Sequence, residues 1–341
     1  MRVASSVLLP WVASALVVAL SACTTAPLLR SPSAQRSIGV GISAKLARLE
    51  QAVSRDRLGT RLSVLSGAST FTPTITIPER GSVQGRALTR QMITETLQAQ
   101  GYSVESHRYR NHGENVLARL LADEPSDEWI LLGAHLDSVR NAGADDNGSG
   151  SAAVLEAATV MRQCQGRKVN VLFAFFDEEE LGLVGSQALA KDLRKQRLNL
   201  TSAHTADMIG FDADRDGAVE IERPDGQLWD YYQMVNRSHG LNLPLVRTSS
   251  GDTDHVAFRQ QGFASVGMCE EWVGGDTTPH YHRKTDTFST LNLDFLTSTT
   301  QLMVAVLADL VTRVPPPPLR QSVPHSQFPG RARHFHPDGH F

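Results

Sequence analysis

The sequence predicts an α/β fold, a three-layer sandwich in which a mixed, mostly parallel central sheet carries helices on both faces. Three observations predict it. Strand-like and helix-like segments alternate through the middle of the chain, which is the pattern of a parallel or mixed sheet. The run Val169 to Phe176 is β-branched and aromatic without polar alternation, the composition of a strand buried on both faces. The 341 residues are 41% hydrophobic and 20% charged, enough for one sizeable core.

The elements follow in order. Ala44 to Leu65 has helical periodicity, and the Thr-rich stretch Thr70 to Pro78 reads as a loop. A helix is expected from Ala87 to Gln100, stopped by Gly101. Strands are expected near Ser103–Tyr109, at Asn115–Leu121 and at Trp129–Leu136, then a helix at Ser149–Gln163. The strand Val169–Phe176, a helix at Gly185–Gln196 and a strand near Ala203–Ile209 come next, and Leu293 to Thr312 is the last clear helix. Four prolines, Pro315 to Pro318, end the fold. No internal repeat or composition shift divides residues 40–313, so they are expected to form one domain.

The two ends read differently. Arg2 precedes an apolar stretch from Val7 to Leu20, short for a membrane span and suited to a signal peptide over residues 1–22. Leu20-Ser21-Ala22-Cys23 resembles a bacterial lipobox, which makes Cys23 the expected lipidation site and the outer membrane or periplasm the expected location. An ordinary secretory signal is the other reading. Residues 23–39 would be a flexible tether, and 314–341, rich in Pro, Arg and His, are expected to be a disordered tail. A formal net charge of -3 gives no electrostatic reason to expect nucleic acid or an anionic membrane as partner. The membrane is expected only through a lipid anchor. After Cys23 only Cys164 and Cys269 remain, enough for one disulfide but not for a thiolate zinc site.

Charged motifs mark the expected strand ends. Asp177-Glu178-Glu179-Glu180 follows the apolar run directly. It reads either as a solvated turn or as a site where a cation offsets clustered carboxylates. His135 and Asp137 are two apart at a strand end, so the carboxylate can support the imidazole as metal-ligating histidines require. Gly143-Ala144-Asp145-Asp146-Asn147-Gly148-Ser149-Gly150 is a helix cap, a phosphate loop or a cation loop, and the missing P-loop Lys speaks against phosphate. Asp207 ends another apolar segment, and His280-Tyr281-His282 with Asp286-Thr287 adds imidazoles and a phenol. Ligands in open α/β sheets gather at such strand ends. Imidazole and carboxylate without thiolate suit zinc, or less selectively manganese or cobalt.

In this order and spacing, from roughly Arg86 to Leu310, the motifs resemble those of the bacterial co-catalytic di-zinc aminopeptidases, relatives of leucyl aminopeptidase, aminopeptidase Y and glutamate carboxypeptidase. The resemblance implies a zinc-peptidase, phosphorylase/hydrolase-like fold and two Zn2+ per chain. It places His135 and Asp207 on one ion, Glu180 and His282 on the other, and Asp146 between them. Asp137 would orient His135, Glu179 would act as general base toward a bridging hydroxide, and Tyr281 would hydrogen-bond the oxyanion. The implied activity is hydrolysis of the N-terminal bond of peptides with a free N-terminus, by an exported monomer. A di-zinc carboxypeptidase or deacylase, a single-zinc glutaminyl cyclase and a non-catalytic receptor-like domain share the fold and remain as rivals. His255 and His280 are expected in or behind the pocket, and Cys269 as a buried, inert thiol. Asp212-Ala213-Asp214-Arg215-Asp216-Gly217 imitates the start of a calcium loop, but Arg223 stands where the bidentate Glu should be, which favours a polar turn.

Overall fold

The computed structural model describes residues 48–313 apart from 250 and 274. The expected leader 1–22, Cys23, the tether and the tail 314–341 lie outside these residues, as does the N-terminal part of the helix expected from Ala44. Eight strands form one sheet: β1 (Val104–Arg110), β2 (Gly113–Leu120), β3 (Glu128–His135), β4 (Asn170–Phe176), β5 (Asn199–Ala206), β6 (Val219–Glu222), β7 (Leu245–Thr248) and β8 (Ser265–Cys269). Their order is β1-β2-β4-β3-β5-β8-β6-β7. The centre, β4-β3-β5-β8, is parallel, whereas β1-β2 and β2-β4 pair antiparallel, and β6-β7 is a parallel pair set antiparallel on β8.

The helices are α1 (Arg55–Leu65), α2 (Val83–Ala99), α3 (Gly150–Met161), α4 (Val184–Lys195), α5 (Leu228–Ser238), α6 (His255–Gln260) and α7 (Leu293–Thr312). Successive strand residues feed opposite layers, as the period of two requires. Ile130, Leu132, Val171, Phe173 and Phe175 pack with α1, α2, α3, α5 and α7. Leu131, Leu172, Ala174 and Phe176 pack with Leu189 and Leu193 of α4 and Phe258 of α6. A sandwich with helices on both faces is therefore observed, and every residue of β4 is buried. Burying each such phenylalanine contributes about 1.5–3 kcal/mol over leaving it exposed.

Several expected boundaries shift. The helix expected across Ala44–Leu65 is broken where described: a 3-10 turn covers Leu49–Ala52, Val53 is extended, and Ser54 restarts the chain by accepting the Arg57 amide with its hydroxyl. The strand expected near Ala203–Ile209 begins at Asn199, where β3 already offers partners at Glu128 and Trp129, and ends at Ala206. Between Val219 and Cys269 the structure adds β6, α5, β7, α6 and β8, for which the sequence offered only an apolar stretch before Cys269.

Register delivers the site. His135 stands level with Phe176 across the β3-β4 pair, and Gly133 with Thr205 across β3-β5. The residues that follow, Asp177 to Glu180 and Asp207, therefore emerge beside His135 at the carboxyl ends of three adjacent parallel strands.

Candidate metal centre

Each candidate residue is held by a local device. His135 is the last residue of β3 and fully buried. Asp207 is the first residue after β5, its amide held by the Met268 carbonyl at 3.0 Å. After β4 the chain turns through a left-handed Glu178 (φ 63°) and closes at Gly182 (φ 99°), so Glu179 and Glu180 lie in one short 3-10 turn. Asp146 sits in the loop between β3 and α3, and its peptide bond to Asn147 is cis.

These devices bring the expected residues together. His135 Nε2 lies 3.3 Å from Asp146 Oδ1 and 3.3 Å from Asp207 Oδ1. His282 Nε2 lies 3.2 Å from Asp146 Oδ2 and 2.9 Å from Glu180 Oε2. The donors thus form two overlapping sets, His135-Asp146-Asp207 and Asp146-Glu180-His282, with all ligand atoms of each set within 4.8 Å of one another. Asp146 gives one oxygen to each set. Two imidazoles, three carboxylates and no thiol fit a pair of zinc-like ions that share a carboxylate. Glu179 comes within 3.9 Å of His135 Nε2 but belongs to neither set.

A polar frame supports the donors. His135 Nδ1 is 3.1 Å from the Asp137 carbonyl and 3.5 Å from its carboxylate, so the backbone oxygen is the closer partner. The Asp137 carboxylate instead accepts the amides of Glu179 at 3.1 Å and Glu180 at 3.3 Å. Asp286 accepts the amides of Asp145 at 2.8 Å and Asp146 at 3.1 Å. Asp145 turns away from the donors to the Gly210 amide at 3.0 Å. Asp177 and Glu178, the first half of the acidic run, are buried in ion pairs with Arg86, Arg90 and Arg110 at 2.7–3.0 Å, and Tyr109 donates to Glu178. Arg80, fully buried behind the Asp146 loop, was not signalled by the sequence because it lies in an unremarkable Pro-Glu-Arg-Gly stretch.

The electrostatics are those of an over-acidic cluster. Burial and the Asp146 carboxylate push Glu180 up to about 7. Burial, with Asp207, Asp254 and Glu180 around it, raises Glu179 well above the carboxylate range. Burial pulls the His135 imidazole down, but the carboxylates of Asp207 and Glu179 outweigh it and leave it raised. Burial works against the Asp146 carboxylate too, yet its bonds to both imidazoles hold it well below the ordinary value. Closely packed carboxylates strained in this way are relieved by a cation.

The remaining candidates fall outside the donor sets. The Tyr281 ring stacks on the His282 ring with centroids 3.8 Å apart and meets Trp272 edge-on at 4.9 Å. His280 bonds Thr285 at 3.0 Å, and His255 is fully buried against Thr253 at 3.0 Å. Asp212, Asp214 and Asp216 converge, but their oxygens accept the amides of Gly217, Asp216 and Ala218, as in a polar turn. Cys164 and Cys269 are buried and unbridged, and burial pushes both thiols up, to about 11 at Cys164.

Known proteins resemble this chain in sequence and in fold. Leucine aminopeptidase 1 of Arthroderma otae is 28% identical over 207 residues, 54% of this chain and 55% of the relative. The chain thus spans about half the length of that curated relative. Among solved structures, the LapA aminopeptidase of Legionella pneumophila superposes with a TM-score of 0.70 at 21% identity, covering 80% of this chain and 75% of the other. BSAP, a zinc aminopeptidase from Bacillus subtilis, superposes at 0.55 with 24% identity, covering 59% and 50%. At these identities the structures speak for the fold. Peptidase family M28 matches residues 115–307, a segment that contains all five donors, and the chain belongs to that family.

Proposed function

We propose that this chain is a zinc aminopeptidase that hydrolyses the N-terminal bond of peptides with a free N-terminus. The observation that carries the reading is Asp146, whose two carboxylate oxygens face different imidazoles, at 3.3 Å to His135 and 3.2 Å to His282. His135, Asp146 and Asp207 would hold one ion, and Asp146, Glu180 and His282 the second. Bound there, two zinc ions lower the pKa of a water and polarise the scissile carbonyl. Glu179, close to His135 but outside the donor sets, accepts a proton from the attacking water and delivers it to the leaving amine. Tyr281 hydrogen-bonds the oxyanion from the edge of the site, where 38% of its surface is open. The preference for zinc and for an N-terminal bond is supported by the names of the relatives, a leucine aminopeptidase and a zinc aminopeptidase. Export, with Cys23 lipidated at the outer membrane, is the reading of the N-terminal segment that accompanies this activity, and the chain is read as a monomer.

The test is Glu179→Gln, assayed with L-leucine p-nitroanilide and with peptides whose amino end is free or acetylated. The variant should keep two zinc ions by elemental analysis and lose about 10²–10⁴-fold in turnover. Near-normal turnover with bound zinc would sink the general-base role. Cleavage of acetylated peptides as fast as free ones would sink the aminopeptidase reading.

A further inference from the structure

Arg80 is fully buried, yet it hydrogen-bonds backbone rather than a carboxylate. Its Nε donates to the Leu136 carbonyl at 2.9 Å. Nη1 donates to Leu65 at 2.9 Å and to Ala142 at 2.6 Å, and Nη2 to Gly143 at 2.7 Å and to Asp146 at 3.4 Å. A guanidinium has five N–H groups in a planar fork, so every donor is matched to a carbonyl. Its own amide is tied to Ser138 Oγ at 3.1 Å.

Four of the five acceptors belong to the segment that runs from Leu136, next to His135, to Asp146. Residues 136–143 have no regular ladder to hold them, because β3 ends at His135 and the loop helix begins at Ala144. Arg80 replaces that ladder, drawing both ends of the segment onto one rigid plane. The loop is shaped to receive it: a Cβ added at Gly143, whose φ is +55°, would meet Arg80 Nη2 at 2.8 Å and the Asp146 carbonyl at 2.5 Å. Desolvating a guanidinium is costly, and a neutral donor would hold one or two carbonyls more cheaply. Burial opposes the charge and lowers the pKa of Arg80, and the carboxylates of Asp286, Asp146, Asp137 and Glu180 offset part of that cost.

We propose that Arg80 is the positioning residue of the metal centre: by pinning the carbonyls of Leu136 and Asp146 to one guanidinium, it sets the Asp146 carboxylate between His135 and His282. The inference rests on the reading of these residues as zinc ligands. It assigns Arg80 no contact with substrate. Its effect reaches the reaction only through where Asp146 stands.

The experiment measures zinc affinity by competition with a chromogenic chelator, alongside thermal unfolding of the zinc-free protein, for the wild type, Arg80→Met, Arg80→Lys and Ser138→Ala. Arg80→Met should lower zinc affinity about 10–100-fold, the cost typical of losing a group that orients metal ligands. Arg80→Lys should stay weak, because an ammonium offers three donors to five carbonyls. Ser138→Ala, which frees the Arg80 amide and removes the hydroxyl's own bonds to the Val139 and Asn141 carbonyls but leaves the guanidinium in place, should shift affinity in the same direction by less. Wild-type zinc affinity in the folded fraction of either Arg80 variant, with only the unfolding temperature lowered, overturns the proposal. If neither Arg80 variant folds, unchanged affinity in Ser138→Ala overturns it and weakened affinity supports it. Because the readout is zinc, a wild-type protein that binds zinc but cleaves no aminoacyl p-nitroanilide sinks the aminopeptidase reading while the affinities still decide the role of Arg80.

Discussion

The Asp137 carboxylate accepts the backbone amide of Glu179 at 3.1 Å. Its other oxygen takes the Glu180 amide at 3.3 Å, and its carbonyl lies 3.1 Å from His135 Nδ1. One residue thus links the imidazole at the end of β3 to the turn after β4, which carries both a candidate ligand and the candidate base. The link is short in space and long in sequence. It converts the parallel register of two strands into a fixed relation between donors.

Replacing Asp137 by Ala keeps the carbonyl that faces His135 but removes the carboxylate, so it should loosen the turn that carries Glu179 and Glu180. Zinc affinity and kcat are each expected to fall about 10–100-fold, whereas Asp137→Asn, which keeps one acceptor oxygen, should lose less. Chelator competition and turnover on L-leucine p-nitroanilide measure the two effects. Loss of turnover with wild-type zinc affinity would mean that the carboxylate positions Glu179 and leaves the ligand Glu180 unaffected.

Glu156 carries the docking of α1 on α3. It is fully buried, accepts the Ser54 amide at 2.7 Å, and pairs with Arg57 at 2.6 Å and Arg61 at 2.7 Å. Removing one partner of a buried ion pair strands the other charges, so Glu156→Ala should destabilise the zinc-free protein by about 3 kcal/mol. Urea unfolding followed by circular dichroism checks it. A change below about 1 kcal/mol, the range of an exposed pair, would show that the arginines find water instead.

The candidate site was legible because its motifs are local and each falls at a strand end. His135-Leu136-Asp137, Asp145-Asp146-Asn147 and Glu179-Glu180-Leu181-Gly182 each carry at least two charged or polar groups within three residues. The support was not legible. Arg80 becomes meaningful only when loops 136–146 fold around it, and nothing in Pro78-Glu79-Arg80-Gly81 announces burial. The β6-β7 edge of the sheet was missed for a related reason. β6 reads Val-Glu-Ile-Glu, the alternation of a half-solvated strand too short to be distinguished from a turn, yet Glu220 and Glu222 are both buried. The helical periodicity before Leu65 hid a break at Ser54, whose hydroxyl caps α1 and whose amide is claimed by Glu156 from 102 residues away.

His204 makes the stability of the fold depend on pH. It is buried in β5, with Nε2 2.9 Å from Ser202 Oγ and Nδ1 2.9 Å from the Tyr232 hydroxyl, and its ring stacks on Tyr232 at 5.8 Å. Among the described residues no carboxylate pairs with it, and burial pushes the imidazole down to about 3. The unfolded chain titrates this group near about 6.5. Between these values the unfolded state binds a proton that the folded state refuses, so stability rises with pH. The contribution is complete above the unfolded value and declines as the pH falls toward the folded one. At pH 5 the loss amounts to about 2 kcal/mol. His204→Gln, which keeps a polar group but no titration, should therefore unfold with a shallower dependence on pH between 7 and 5. The comparison is made on zinc-free protein with chelator present, since metal binding has its own proton linkage. Parallel curves for wild type and variant would mean that His204 takes up its proton as readily in the fold as in the unfolded chain, and that burial between Ser202 and Tyr232 does not exclude it.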